Sequence, residues 1–235
     1  MTDLQDIKQT LQTLADKETA EHSQRFFKTG KGEYGEGDIF LGIRVPALRK
    51  VANQYKHLPL NNILSLLKSK FHEQRLLAII MLVNQYKKSS ASDAEKIFTL
   101  YINNTKYINN WDLVDISAPH IVGAHLYKKN RELLYDFAKS ADLWKKRIAI
   151  MATFYFIRNN EFSDSIKISE FLLNDTHDLI HKAVGWMLRE IGNRNRQFEQ
   201  IFLDKYAANM PRTMLRYALE KFPVLKRQHY MALKG

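Results

Sequence analysis

The chain has no cysteine, which excludes disulfides, a thiol nucleophile and thiolate metal sites. It is also poor in chain-breaking residues, with nine glycines and five prolines in 235 residues. That scarcity argues against a fold built from many tight turns between strands. There is no run of about 18 apolar residues, so no membrane span is expected. The first residues, MTDLQDIKQTLQTLADKETAEHSQRFF, lack the basic start, apolar stretch and small-residue cleavage site of a signal peptide. A cytoplasmic protein is expected from these absences. Acidic residues are in short supply too, 25 against 36 Lys and Arg, for a net charge of +11.

The surplus of basic residues points to a polyanionic partner, nucleic acid first. It does not form a tail, because Lys and Arg alternate with apolar residues along the whole chain. Segments such as AEKIFTLYINN, SIKISEFLLN and LIHKAVGWMLREIG place apolar residues at i, i+3, i+4 and i+7, the period of an amphipathic helix. No strictly alternating stretch bounded by hairpin turns is present, so the chain reads as all-α.

The helices repeat. Arg75, Trp111, Arg147 and Ala183 follow one another at intervals of 36 residues, and PRTMLRYALEKF opens a shorter fifth unit. Each unit has a leading helix, a short polar link and a more apolar second helix. This pattern predicts a curved right-handed solenoid of stacked antiparallel helix pairs, HEAT-like or armadillo-like. A single domain over residues 1–235 is expected, and a monomer, since a stack with two capped ends offers no obvious self-complementary face.

Five of the nine glycines crowd into Gly30–Gly42. A phosphate-binding loop would need Gly-Lys-Ser/Thr at its end and a strand ahead of it, and neither is there. The segment reads as a flexible connection between helices. GIRVPALRK then starts a helix with Pro46 near its first turn, where Arg44 and Arg49 are placed to meet a phosphate. His177 and His181 stand at i, i+4, and His120 and His125 flank IVGA, but no third ligand has suitable spacing, so no metal is expected. The histidine pair reads as solvated or phosphate-contacting. Ser117 lacks a nucleophile-elbow context.

The stretch NNWDLVD puts Trp111 and Asp115 on one helical face, about a turn apart. In the repeat frame Trp111 and Arg147 share a column, and Trp186 lies one turn along in the next repeat. Two aromatic faces, a carboxylate and a guanidinium suit a cationic sugar-like intermediate held on an anionic backbone. The same residues also fit a purely architectural arrangement, with both tryptophans as core anchors and Arg147 paired to an acid. Repeat arithmetic alone does not separate the two.

NNWDLVDISAPHIVG, LWKKRIAIMATFYFIR and KAVGWMLREIG resemble the signature segments of the AlkD family of DNA alkylation repair glycosylases, and IFLGIRVPALRKVA resembles its N-terminal segment. The resemblance runs from about Phe40 to the C-terminus. It implies a monofunctional glycosylase, without cofactor, that excises cationic N3- and N7-alkylated purines such as 7-methylguanine and 3-methyladenine from duplex DNA, without a base-flipping pocket. Carried over, Asp115 is the catalytic carboxylate, Trp111 and Trp186 pack on the deoxyribose, and Arg147 and Arg189 hold the backbone; Lys182, in the same segment as Arg189, is a further DNA-binding candidate. Arg44 stands where the family often has glutamine, a departure that favours phosphate contact over base readout. Two other readings remain: a helical-repeat DNA-binding protein or lesion sensor without catalysis, which has no need of Asp115, and a protein-interaction scaffold, which does not call for the net charge.

Overall fold

The structure is a computed structural model that describes residues 3–233. Among the described residues there is no strand, and the one bridge, Ile39 with Phe71, is isolated. Nor is any helix among them long and apolar enough to cross a membrane. The chain divides into two compact units, Met1–Ser117 and Ala118–Gly235.

The first unit holds α1 (Asp3–Thr13), α2 (Lys17–Phe26), α3 (Val45–Gln54), α4 (Leu60–Leu67), α5 (His72–Tyr86), α6 (Ala91–Asn103) and α7 (Trp111–Ser117). Pro46 sits in the first turn of α3, where its missing N–H leaves no unmet bond. The centre of the unit is α5, which packs against α3, α4, α6 and α7. Every residue from His72 to Val83 is buried. A helix buried on all sides needs apolar residues all round, and LLAIIMLV supplies them. Its first turn, His72-Glu73-Gln74-Arg75, is buried as well but polar, so each group there must find a partner inside the protein.

Several of those partners come from the glycine-rich segment. The Glu73 carboxylate accepts hydrogen bonds from the backbone N–H of Leu41 and Gly42 at 2.8 Å and of Ile43 at 3.2 Å. The His72 N–H donates to the Ile39 carbonyl at 2.8 Å. Gly42 has φ +79°, and a Cβ there would lie 2.0 Å from the Asp16 carbonyl oxygen, so no other residue fits. The expected flexible connection is therefore corrected over its second half. Residues 38–43 are pinned to α5, and their run of N–H groups, which could have cradled a phosphate, is taken by a carboxylate of the chain itself.

The second unit begins with one turn of π-helix, Pro119–Gly123, and the short α8 (Ala124–Leu126). Then follow α9 (Glu132–Ala138), α10 (Leu143–Arg158), α11 (Ser163–Phe171), α12 (Asp178–Arg194), α13 (Arg196–Tyr206), α14 (Arg212–Ala218) and α15 (Val224–Ala232). Asp142 caps α10 by accepting from the N–H of Trp144 and Lys145. Helix α10 packs against α9, α11 and α12, and α12 packs against α13 and α14. The buried face of α12 is Ile180, Ala183, Val184, Met187, Leu188 and Ile191, as its period predicts. At Gly185 the helices come so close that a Cβ would lie 2.4 Å from the Met214 carbonyl oxygen.

This is the all-α architecture of stacked helix pairs that the 36-residue interval predicts. The interval does not make its residues equivalent, however. Trp111 opens α7, whereas Arg147 lies a full turn inside α10 and Ala183 inside α12. Arg75, Arg147 and Ala183 are buried, and Trp111 is half-buried.

Candidate nucleic-acid interface

Helix α7 starts on Asn110. The Asn110 carbonyl takes the first helical bond from the Val114 N–H at 3.1 Å, and its side-chain oxygen accepts from the Trp111 N–H at 2.8 Å. The Asn110 amide in turn donates to Asp38 at 3.4 Å. Asp38 is buried and collects further donors, the Arg75 guanidinium at 2.5 Å and His72 Nδ1 at 3.2 Å. Burial works against its charge, but His72, Arg75 and Asn110 together hold the carboxyl below the usual aspartate range.

The other ring nitrogen of His72, Nε2, lies 2.8 Å from Asp112 Oδ2. Burial disfavours the imidazolium, yet the hydrogen bonds to Asp112 and Asp38 outweigh it and raise the His72 pKa to about 9. At neutral pH the ring is a cation between two carboxylates. Asp112 also accepts from the Leu113 N–H at 2.8 Å, so it is a helix-start acid.

Trp111 emerges from this framework half-buried. Its ring stacks on Phe27, with centroids 5.2 Å apart and planes at 21°, and meets Phe26 edge-on at 6.0 Å. Phe27 stacks on Phe40, and Phe40 on His72. Phe26 is 58% exposed, so an aromatic surface reaches solvent beside Trp111. Asp115 is half-buried one turn further along α7. Below it, the buried Tyr101 hydroxyl bonds Ser117 Oγ at 2.9 Å. The Tyr101 pKa is pushed up, first by burial, and the Asp115 charge adds to the rise. Ser117 also donates to the Leu113 carbonyl, which makes it a structural hydroxyl, in keeping with its exclusion as a nucleophile.

Arg44, at the start of α3, and Arg49, within it, are both exposed, as a phosphate contact requires. In the second unit, Trp186 is half-buried, with its indole N–H on Glu190 at 3.2 Å and its ring 6.2 Å from Phe154. Arg147 is only 4% exposed, and its guanidinium donates to the Leu179 carbonyl. A grip on an external phosphate therefore finds little of this side chain at the surface. Arg189 pairs with Glu220, and Lys182 with Asp178 at 2.6 Å. The sequence predicts a solvated or phosphate-contacting pair; His177 instead spends its Nδ1 on capping α12, accepting from the Leu179 N–H at 3.1 Å, and burial lowers its pKa, which favours that acceptor form. His181 bonds the Asp175 carbonyl at 2.5 Å. Among the described residues no group of three or more His, Asp or Glu side chains is arranged to hold a metal ion.

Sequence reasoning singled out Trp111 and Asp115 but did not anticipate Asp38, His72 and Asp112 as a connected set, or the aromatic row of Phe26, Phe27 and Phe40. A signal did exist: four consecutive polar residues, HEQR, open a helix whose next eight residues, LLAIIMLV, are all apolar.

The family described as DNA alkylation repair enzyme matches residues 7–222. A solved structure described as a predicted DNA alkylation repair enzyme from Enterococcus faecalis is 15% identical, with a TM-score of 0.71, and the match covers 89% of this chain and 97% of that one. The smu.31 protein from Streptococcus mutans UA159 is 17% identical, with a TM-score of 0.51 and 98% of each chain covered. At these identities both show a shared fold. No curated protein matches the chain.

Proposed function

We propose that this chain, which belongs to the DNA alkylation repair enzyme family, is a DNA glycosylase that hydrolyses the N-glycosidic bond of N3- and N7-alkylated purines in duplex DNA. The observation that carries the reading is the pairing of Trp111 and Asp115 on one half-buried face of α7, a helix whose first turn is tied through Asp112 to the buried His72. Side chains held that firmly can present a ring and a carboxylate to one sugar without reorganising.

An alkylated purine carries a positive charge and leaves without an added proton. The bond between the sugar C1′ and the purine nitrogen breaks, and its electron pair neutralises the base. The sugar is left as an oxocarbenium-like cation. The Asp115 carboxylate stabilises that charge and takes the proton of the water that attacks C1′. Trp111 offers its π face to the same cation. Arg44 and Arg49 bind phosphates, and Trp186, Lys182 and Arg189 of the second unit support binding of the duplex. Contacts go to sugar and phosphate, so the lesion is chosen by charge and lability rather than by base shape, and bulky adducts are accepted.

The test is direct: duplex DNA carrying 7-methylguanine is incubated with the protein, and free base is measured. Release by the wild-type chain and its loss in Asp115→Asn support the reading. Binding without release supports a lesion sensor instead.

A further inference from the structure

We infer that His72 is a positioning residue for the α7 site: its two ring nitrogens clamp Asp38 of the glycine-rich segment and Asp112 of α7, and so set the direction in which Trp111 and Asp115 leave that helix. The inference rests on the proposed roles of Trp111 and Asp115.

Three observations carry it. His72 is 1% exposed and both nitrogens are engaged, at 3.2 Å to Asp38 and 2.8 Å to Asp112. The two carboxylates belong to different elements, and the imidazole bonds both. The residue next to Asp112 is Trp111, whose ring is steadied from the same side by Phe27, 5.2 Å from the imidazole and 5.2 Å from the indole.

The chemistry favours histidine at this point. A protonated imidazole has two N–H donors on opposite edges of one rigid plane, so it can bridge two carboxylates. A neutral ring would turn a lone pair toward one of them. The charged groups around it are Asp38, Asp112 and the Arg75 guanidinium, which neutralises the remaining Asp38 oxygen. Glu73, the next residue of α5, spends its carboxylate on the N–H groups of Leu41, Gly42 and Ile43. Two carboxylates and two cations thus balance in a buried cluster, and the raised pKa of His72 agrees with that arrangement. Loss of the imidazolium leaves Asp112 without its partner and frees the first turn of α7.

The experiment uses the full chain with His72→Asn, Asp112→Asn and the double substitution. Single-turnover release of 7-methylguanine is expected to fall about ten- to a hundred-fold in each single variant, the scale of a small misplacement of reacting groups. The double variant should be no slower than the slower single, because both changes cut one link. Affinity for undamaged duplex should hold. A second readout is independent of excision. In a Trp144→Phe, Trp186→Phe background Trp111 is the remaining tryptophan, and its quenching by acrylamide should rise in His72→Asn. It should also rise in the His72-containing protein as pH passes about 9, with no such step in the His72→Asn chain. If His72→Asn does not fold, Asp112→Asn and the pH titration decide. Wild-type quenching, no pH step and a wild-type rate overturn the inference. If the wild type releases no base, the glycosylase reading fails, while the quenching data still accept or reject the positioning role.

Discussion

His72 of α5 and Asp112 of α7 lie 40 residues apart in sequence and 2.8 Å apart in space, and the bond between them fixes the residue beside Trp111. Asp112 and Asp115, three residues apart on one short helix, therefore take different work: the first is spent on a buried histidine, and the second lies half-buried a turn further along.

Asp115→Asn keeps the shape of the side chain and removes its charge. Excision of 7-methylguanine is expected to drop by a factor on the order of 10² or more, the scale of losing one electrostatic stabiliser. Affinity for duplex DNA should hold or rise, since a negative charge has left the surface proposed to bind phosphates. Base release at the wild-type rate would falsify the catalytic role.

Trp111→Ala and Trp186→Ala should both lower excision while leaving the chain folded. Complete removal of a core aromatic costs about 3–5 kcal/mol. Trp111 is half-buried, so the loss should be smaller, though its contacts with Phe26 and Phe27, each worth about 0.5–1.5 kcal/mol, should make it larger than for Trp186. Thermal melts rank the two. A fall in melting temperature of core size, with full activity in the folded fraction, assigns these rings to architecture.

Binding to undamaged duplex should weaken steeply with salt, by about 0.9 in log K against log salt for each phosphate neutralised. Arg44→Ala and Arg49→Ala should each reduce the slope by about one such step, because both side chains are exposed. Arg147→Ala, at a buried position, should change stability more than the slope. A flat response in the wild type points away from nucleic acid.

Glu199 gives a pH dependence unrelated to the site. It is fully buried in α13, with Arg196 at 2.9 Å and Oε1 unbonded among the described residues. Burial outweighs Arg196 and raises the pKa from 4.5 to about 8. Between those values the folded chain holds a proton that the unfolded chain has lost, so this residue's contribution to stability falls as pH rises through the window and is level outside it. Glu199→Gln should remove that slope. Melting temperatures measured from pH 5 to 9 check it, and equal slopes in the two proteins exclude a raised pKa at Glu199.

Periodicity and composition determined much of this protein. The 3.6-residue pattern of α12, the 36-residue interval, the start of α3 beside Pro46 and the shared face of Trp111 and Asp115 depend on local geometry and could be read from the chain. What surrounds those residues could not. Asp38 meets Arg75 and His72 across more than thirty residues and Asn110 across 72. No spacing rule encodes such contacts, because they exist only once α5 is buried and its polar first turn must find partners in whatever lies nearby. The same cause decided Arg147 and the glycine-rich segment. Burial turned an expected phosphate ligand inward to the Leu179 carbonyl, and it pinned residues 38–43 onto Glu73, because a charge removed from water has to be met by groups that only the tertiary fold brings within reach.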